Sequence, residues 1–140
     1  MIQEFLEPLR QVPKKKLLIY IIVYLLWGIT MNWVGQELEI AKFENWWQII
    51  TCYILYMIPV SIVLSKYSFI NQYCYGLFFM GILEFGGYAL ESSYVYPNNF
   101  LIEWFEPHTF ALVMTLFFAT YFPLGNWVVN RIYCRFIFKK

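Results

Sequence analysis

The sequence predicts an all-α integral membrane protein: four transmembrane helices forming two similar hairpins, with both termini cytoplasmic. Three observations carry this expectation. Of the 140 residues, 61% are hydrophobic and only 14% are charged, where a soluble domain carries about 25% charged residues. Four long apolar stretches take up most of the chain. Nine of the ten Lys and Arg residues fall on one side of a membrane crossed four times.

Residues 1–13 read as an amphipathic interfacial lead. Ile2, Phe5, Leu6 and Leu9 recur at helical spacing, with Glu4, Glu7 and Arg10 between them. Such a segment lies in the interface plane, and Pro8 and Pro13 limit its length. The first apolar run is too long for a cleavable signal peptide, and no small-residue cleavage site follows it. Residues 14–140 then form a single four-helix transmembrane domain, with hairpins over about 14–70 and 71–140.

A span needs roughly 20 apolar residues. Leu17–Gln36, Asn45–Ser65 and Pro107–Asn130 contain no charged residue, and Tyr67–Leu90 contains only Glu84. The spans are expected near Leu17–Val34, Trp46–Leu64, Gln72–Ser92 and Thr109–Tyr133. Trp33, Trp46, Trp47, Tyr94 and Trp104 gather at the outer ends, as an interfacial aromatic belt does. The runs are continuous and do not alternate, which argues against barrel strands. Pro59 and Pro123 sit inside the second and fourth spans and predict kinks there.

The charges set the orientation. Arg10, Lys14, Lys15, Lys16, Lys66, Arg131, Arg135, Lys139 and Lys140 share one side, and only Lys42 falls on the other. A Lys/Arg excess marks the cytoplasmic side. The cations would therefore be pinned to the bilayer surface, which leaves nucleic acid unsupported as a partner. Cys52, Cys74 and Cys134 show no metal-ligand spacing and read as small apolar residues. No Gly-rich phosphate loop, nucleophile triad or paired-Cys motif occurs, and no resident cofactor or metal is expected.

The two prolines also expose an internal repeat. Pro59 to Phe69 and Pro123 to Tyr133 each carry a proline, a small or polar step, an aliphatic pair, then Ser65-Lys66 or Asn130-Arg131 and aromatics. Two hairpins in the same orientation would be related by an axis along the membrane normal, as in some transporters. The close of the fourth span, Asn126-Trp127-Val128-Val129-Asn130-Arg131-Ile132-Tyr133-Cys134-Arg135-Phe136, resembles the end of GtrA-like membrane proteins. Ser65-Lys66-Tyr67-Ser68-Phe69 looks like a weaker copy. The family's Phe-x-x-x-Gly opening is missing from Leu17–Leu26. The resemblance implies movement of a polyprenyl-phosphate-linked sugar across a bacterial inner membrane for cell-surface polysaccharide synthesis. A glycosyltransferase partner or a homo-oligomer is expected, since four helices enclose little volume.

Glu84 is the sharpest single feature. A charge at mid-span costs about 2.5–3.5 kcal/mol on insertion scales, so the side chain is expected to face protein or water. Tyr88 and Glu91 follow on the same helical face. In the transport reading, Glu84, Tyr88 and Glu91 meet the sugar, while Lys66 and Arg131 hold the phosphate with Asn126 and Asn130 beside them. The alternative is a small enzyme acting on an isoprenoid or other lipid. It would use Glu84, Glu91, Glu106 and His108 as acid/base groups or metal ligands. An accessory subunit of a larger membrane complex is the third reading.

Overall fold

A computed structural model describes residues 1–137; the side chains of residues 107 and 108 also fall outside the description. Lys139, Lys140 and the His108 imidazole, all invoked above, therefore lie outside the described residues. Helix α1 (Ile2–Gln11) leads into α2 (Lys14–Glu37). A two-residue strand, β1 (Ala41–Lys42), precedes α3 (Trp46–Ile49), which runs through a π-helical stretch (Ile50–Met57) into α4 (Ile58–Leu64). Then come α5 (Phe69–Ala89), β2 (Tyr94–Val95), α6 (Phe100–Phe118) and α7 (Tyr121–Ile137).

The fold is all-α apart from the two short strands. Among the described residues, three helical stretches are long and apolar enough to cross a membrane: Lys14–Glu37, Trp46–Leu64 and Thr109–Ile137. The third expected span falls on α5. It has 21 residues, but Asn71, Gln72 and Glu84 make it less apolar than the other three. Leu18, Ile22, Leu26, Ile29 and Trp33 line one exposed face of α2, an apolar stripe of the kind that faces lipid.

Each internal proline reshapes its helix in a different way. A proline removes the bond to the carbonyl four residues earlier. At Pro8 the freed carbonyl belongs to Glu4, and Lys66 Nζ approaches it at 3.4 Å. This contact ties α1 to the end of α4, and Leu9 and Val12 pack on the core. At Pro59 the ladder is π-helical up to Met57 and α-helical from Ile58. Pro59 thus falls in the first turn of α4, where its missing N–H is no loss. At Pro123 the expected kink is a two-residue interruption of the helix: α6 stops at Phe118, and α7 begins at Tyr121. Side chains serve carbonyls around the break. Thr120 Oγ1 donates to Phe117 O at 2.6 Å, Tyr73 Oη to Leu116 O at 3.1 Å, and Tyr24 Oη lies 3.1 Å from Tyr121 O. Broken membrane helices persist when neighbours satisfy the backbone in this way. Gly76 lets α5 come close here, since a Cβ at that position would stand 3.2 Å from Ala119 O and 2.5 Å from the Phe122 ring.

Below the break, a buried polar knot joins four helices. Asn126 of α7 donates to Ser61 O of α4 at 2.9 Å and to Gln72 Oε1 of α5 at 2.8 Å. Its Oδ1 accepts from Tyr20 Oη of α2 and from Ser61 Oγ at 3.3 Å. Tyr24 Oη donates to Ser61 Oγ at 2.8 Å, and Gln72 Nε2 donates to Tyr67 O at 2.8 Å. Tyr20, Tyr24, Ser61, Gln72 and Asn126 are all buried. With every partner supplied, such a network rigidifies the bundle and specifies its packing.

The opposite end is closed by β1 and β2, which pair antiparallel as Ala41 with Val95 and Lys42 with Tyr94. The chain approaches each strand in the same way. Glu39 and Glu91 adopt positive φ (53° and 52°). Ile40 N bonds Gly35 O and Ser92 N bonds Gly87 O, both at 2.9 Å. Each strand is followed by an asparagine at the start of the next helix, Asn45 and Asn99. The matching turns and following asparagines extend the repeat seen around the prolines.

Candidate functional site: a capped apolar cavity holding one carboxylate

Between the ribbon and the polar knot lies a cavity of about 530 Å³, within the size range of small-molecule sites. All four helical stretches and the ribbon contribute walls. Met31, Asn32 and Gly35 come from α2; Cys52, Tyr53 and Met57 from the π-helical stretch; Met80, Leu83 and Glu84 from α5; and Phe110, Met114 and Phe117 from α6. Met57 and Phe118 stand at the two helix irregularities. The floor is therefore built where Pro59 and Pro123 disturb the ladders. Paired irregularities at matching positions of two repeats are a feature of transporter binding sites.

Among the described residues, Glu84 is the only acidic side chain lining this space. It is partly accessible, and it takes no hydrogen bond or ion pair from any described residue. Lys42 also lines the cavity but does not pair with it. Its Nζ sits 4.6 Å from the Tyr94 ring centroid and 5.8 Å from that of Tyr96.

The repeat explains why Glu84 stands alone. Asn32 and Glu84 each lie seven residues before their positive-φ glutamate, so they occupy equivalent positions. Asn32 Oδ1 has a structural task, accepting from Phe43 N at 2.8 Å. The second loop has one residue more before its strand, so the amide that follows β2 as Phe43 N follows β1 is Tyr96 N, which bonds Ile40 O at 3.1 Å. Glu84 thus has no backbone donor to receive. It carries a carboxyl group where its counterpart carries a satisfied amide.

Among the described residues, Glu91, Glu106, Lys66, Asn126, Asn130 and Arg131 do not line the cavity that holds Glu84. Tyr88 is one turn further along α5 and exposed. Glu91 is exposed in the loop after α5. Glu106 is exposed at φ 49°, ψ 159°, where α6 bends immediately before Pro107; a residue before proline is driven out of the helical region. No group of three His, Cys, Asp or Glu able to hold a metal occurs among the described residues. Lys66 is exposed at the α4–α5 turn, 5.3 Å from the Tyr67 ring centroid and 5.8 Å from that of Phe5. Asn130 and Arg131 are exposed on α7. Asn126 is committed to the polar knot, with both ends of its amide used, and leaves no group for a phosphate. Sequence reasoning missed the cavity walls contributed by Tyr53, Met57 and Phe110, and it missed Asn32. The equal spacing of Asn32 and Glu84 from Leu38-Glu39 and Leu90-Glu91 was the signal that could have found it.

These features define an all-α protein with at least three membrane-spanning candidates around an internal apolar chamber, as in a multi-pass membrane protein. No family model, curated protein or solved structure matches the chain.

Proposed function

We propose that the chain is a four-span membrane protein that takes an amphiphilic lipid into its cavity and moves it between leaflets. The termini and the Lys66 turn lie on the cytoplasmic side, and the ribbon lies on the other. The observation that carries this reading is the chamber itself: it is lined by all four helical stretches, almost wholly apolar, and floored at two matching helix irregularities. A polyprenyl-phosphate-linked sugar is the member of this ligand class that the GtrA-like resemblance names, with Lys66 and Arg131 meeting its phosphate at the cytoplasmic surface.

The test is transfer of a fluorescent polyprenyl-phosphate sugar between leaflets of vesicles holding the purified protein. Met80→Trp, which fills the chamber, should abolish transfer while the protein still folds. Unchanged transfer in that variant would remove the cavity from the mechanism. Sidedness is read separately by labelling Lys66→Cys and Lys42→Cys with an impermeant maleimide, which should reach them from opposite faces.

A further inference from the structure

We propose that the group a ligand presents to Glu84 is cationic, an amine or quaternary ammonium attached to an apolar body. This rests on the reading of the cavity as an amphiphile site and names the chemistry it selects. A carboxylate set in an apolar chamber, with no described residue bonded to it, is complemented by a positive charge. Among the described residues, the chamber offers no other partner for that group. The one lining ammonium, Lys42, is held by Tyr94 and Tyr96 in the ribbon instead. The surrounding aromatic walls, Tyr53, Phe110 and Phe117, suit a weakly hydrated cation, since ring faces attract quaternary ammonium groups. An anionic group placed directly against Glu84 would be repelled. The equivalence with Asn32 strengthens the assignment: Asn32 serves the fold, whereas Glu84 bonds no described residue.

Cys52 lines the same chamber, while Cys74 and Cys134 are exposed elsewhere. Cys52 therefore reports occupancy once the other two are replaced. In a Cys74→Ser, Cys134→Ser background in nanodiscs, alkylation of Cys52 by N-ethylmaleimide is followed in the presence of three probes with one tail: decyltrimethylammonium, decanol and decyl sulfate. The cation should half-protect at a concentration at least about 10-fold below that of decanol, about 1.4 kcal/mol of preference, and decyl sulfate should protect least. Glu84→Gln should bring the cation and the alcohol within about twofold of each other. Equal protection by cation and alcohol, or strongest protection by the sulfate, would overturn the inference while leaving the amphiphile site standing. Failure of all three to protect would overturn both. The wild-type ordering decides the matter even if Glu84→Gln does not fold.

Discussion

Replacing Asn126 with Leu should cost this protein several kcal/mol, although the substitution fills nearly the same volume with an apolar side chain. Asn126 makes four hydrogen bonds, to Tyr20, to Ser61 twice and to Gln72, which reach three other helices. Interhelical hydrogen bonds in membranes average about 0.6 kcal/mol each, so their loss alone amounts to roughly 2.4 kcal/mol. The substitution also strands Gln72 Oε1 and the Tyr20 hydroxyl in the core, and an unmet buried polar group costs about 1–3 kcal/mol. Partial rearrangement offsets some of this, giving an expected loss of about 3–5 kcal/mol. The assay is reversible unfolding in mixed micelles of rising sodium dodecyl sulfate fraction, followed by tryptophan fluorescence. Asn130→Leu, one turn along on the exposed surface, is the control and should stay within about 0.5 kcal/mol. A loss below about 1 kcal/mol for Asn126→Leu, or equal losses at both positions, would refute the knot as the element that holds the helices together.

Gly125→Ala should destabilise by about 1–3 kcal/mol through overpacking, because its Cβ runs into Tyr24 Oη; Gly86→Ala, whose Cβ meets nothing within 4 Å, should be neutral or stabilise by up to about 1 kcal/mol. The same micelle titration distinguishes the two. Glu39→Gly and Glu91→Gly should each relieve left-handed backbone strain of about 1–2 kcal/mol and give similar gains, since their turns are built alike. Lys42→Met should remove the contact with Tyr94, worth about 0.5–1 kcal/mol, and speed amide hydrogen exchange at Ala41 and Val95 without affecting Asn126.

Much of the architecture was legible because membrane helices announce themselves through length and apolarity, and because Pro59 and Pro123 mark where the ladders must change. The form of each change was not legible. Whether a missing N–H yields a π-helical stretch or a break depends on which side chains arrive from elsewhere. Tyr24 and Tyr73, which serve carbonyls flanking the Pro123 break, come from other helices. The knot was hidden for the same reason. Tyr20, Ser61, Gln72 and Asn126 are each a single polar residue in an apolar run, tens of residues apart, and no local pattern joins them. Asn126 consequently read as part of a basic surface motif, although Phe122, Gly125 and Val129 share its buried face. Glu84 was legible because a lone charge in a long apolar run has no ordinary explanation. Its solitude became visible only when the second hairpin was laid over the first.

The matching turns before β1 and β2 and the asparagines after them make the two hairpins read as copies joined in tandem. In a true dimer of identical hairpins, every substitution appears twice, so an acid at the position of Glu84 would bring a second acid to the position of Asn32. Both would face one chamber and repel each other, and the amide of Phe43 would lose its acceptor. Joining the copies in one chain removes that constraint. One hairpin keeps the asparagine that holds its loop, and the other is free to carry a carboxyl group, an asymmetry that a dimer of identical hairpins could not have.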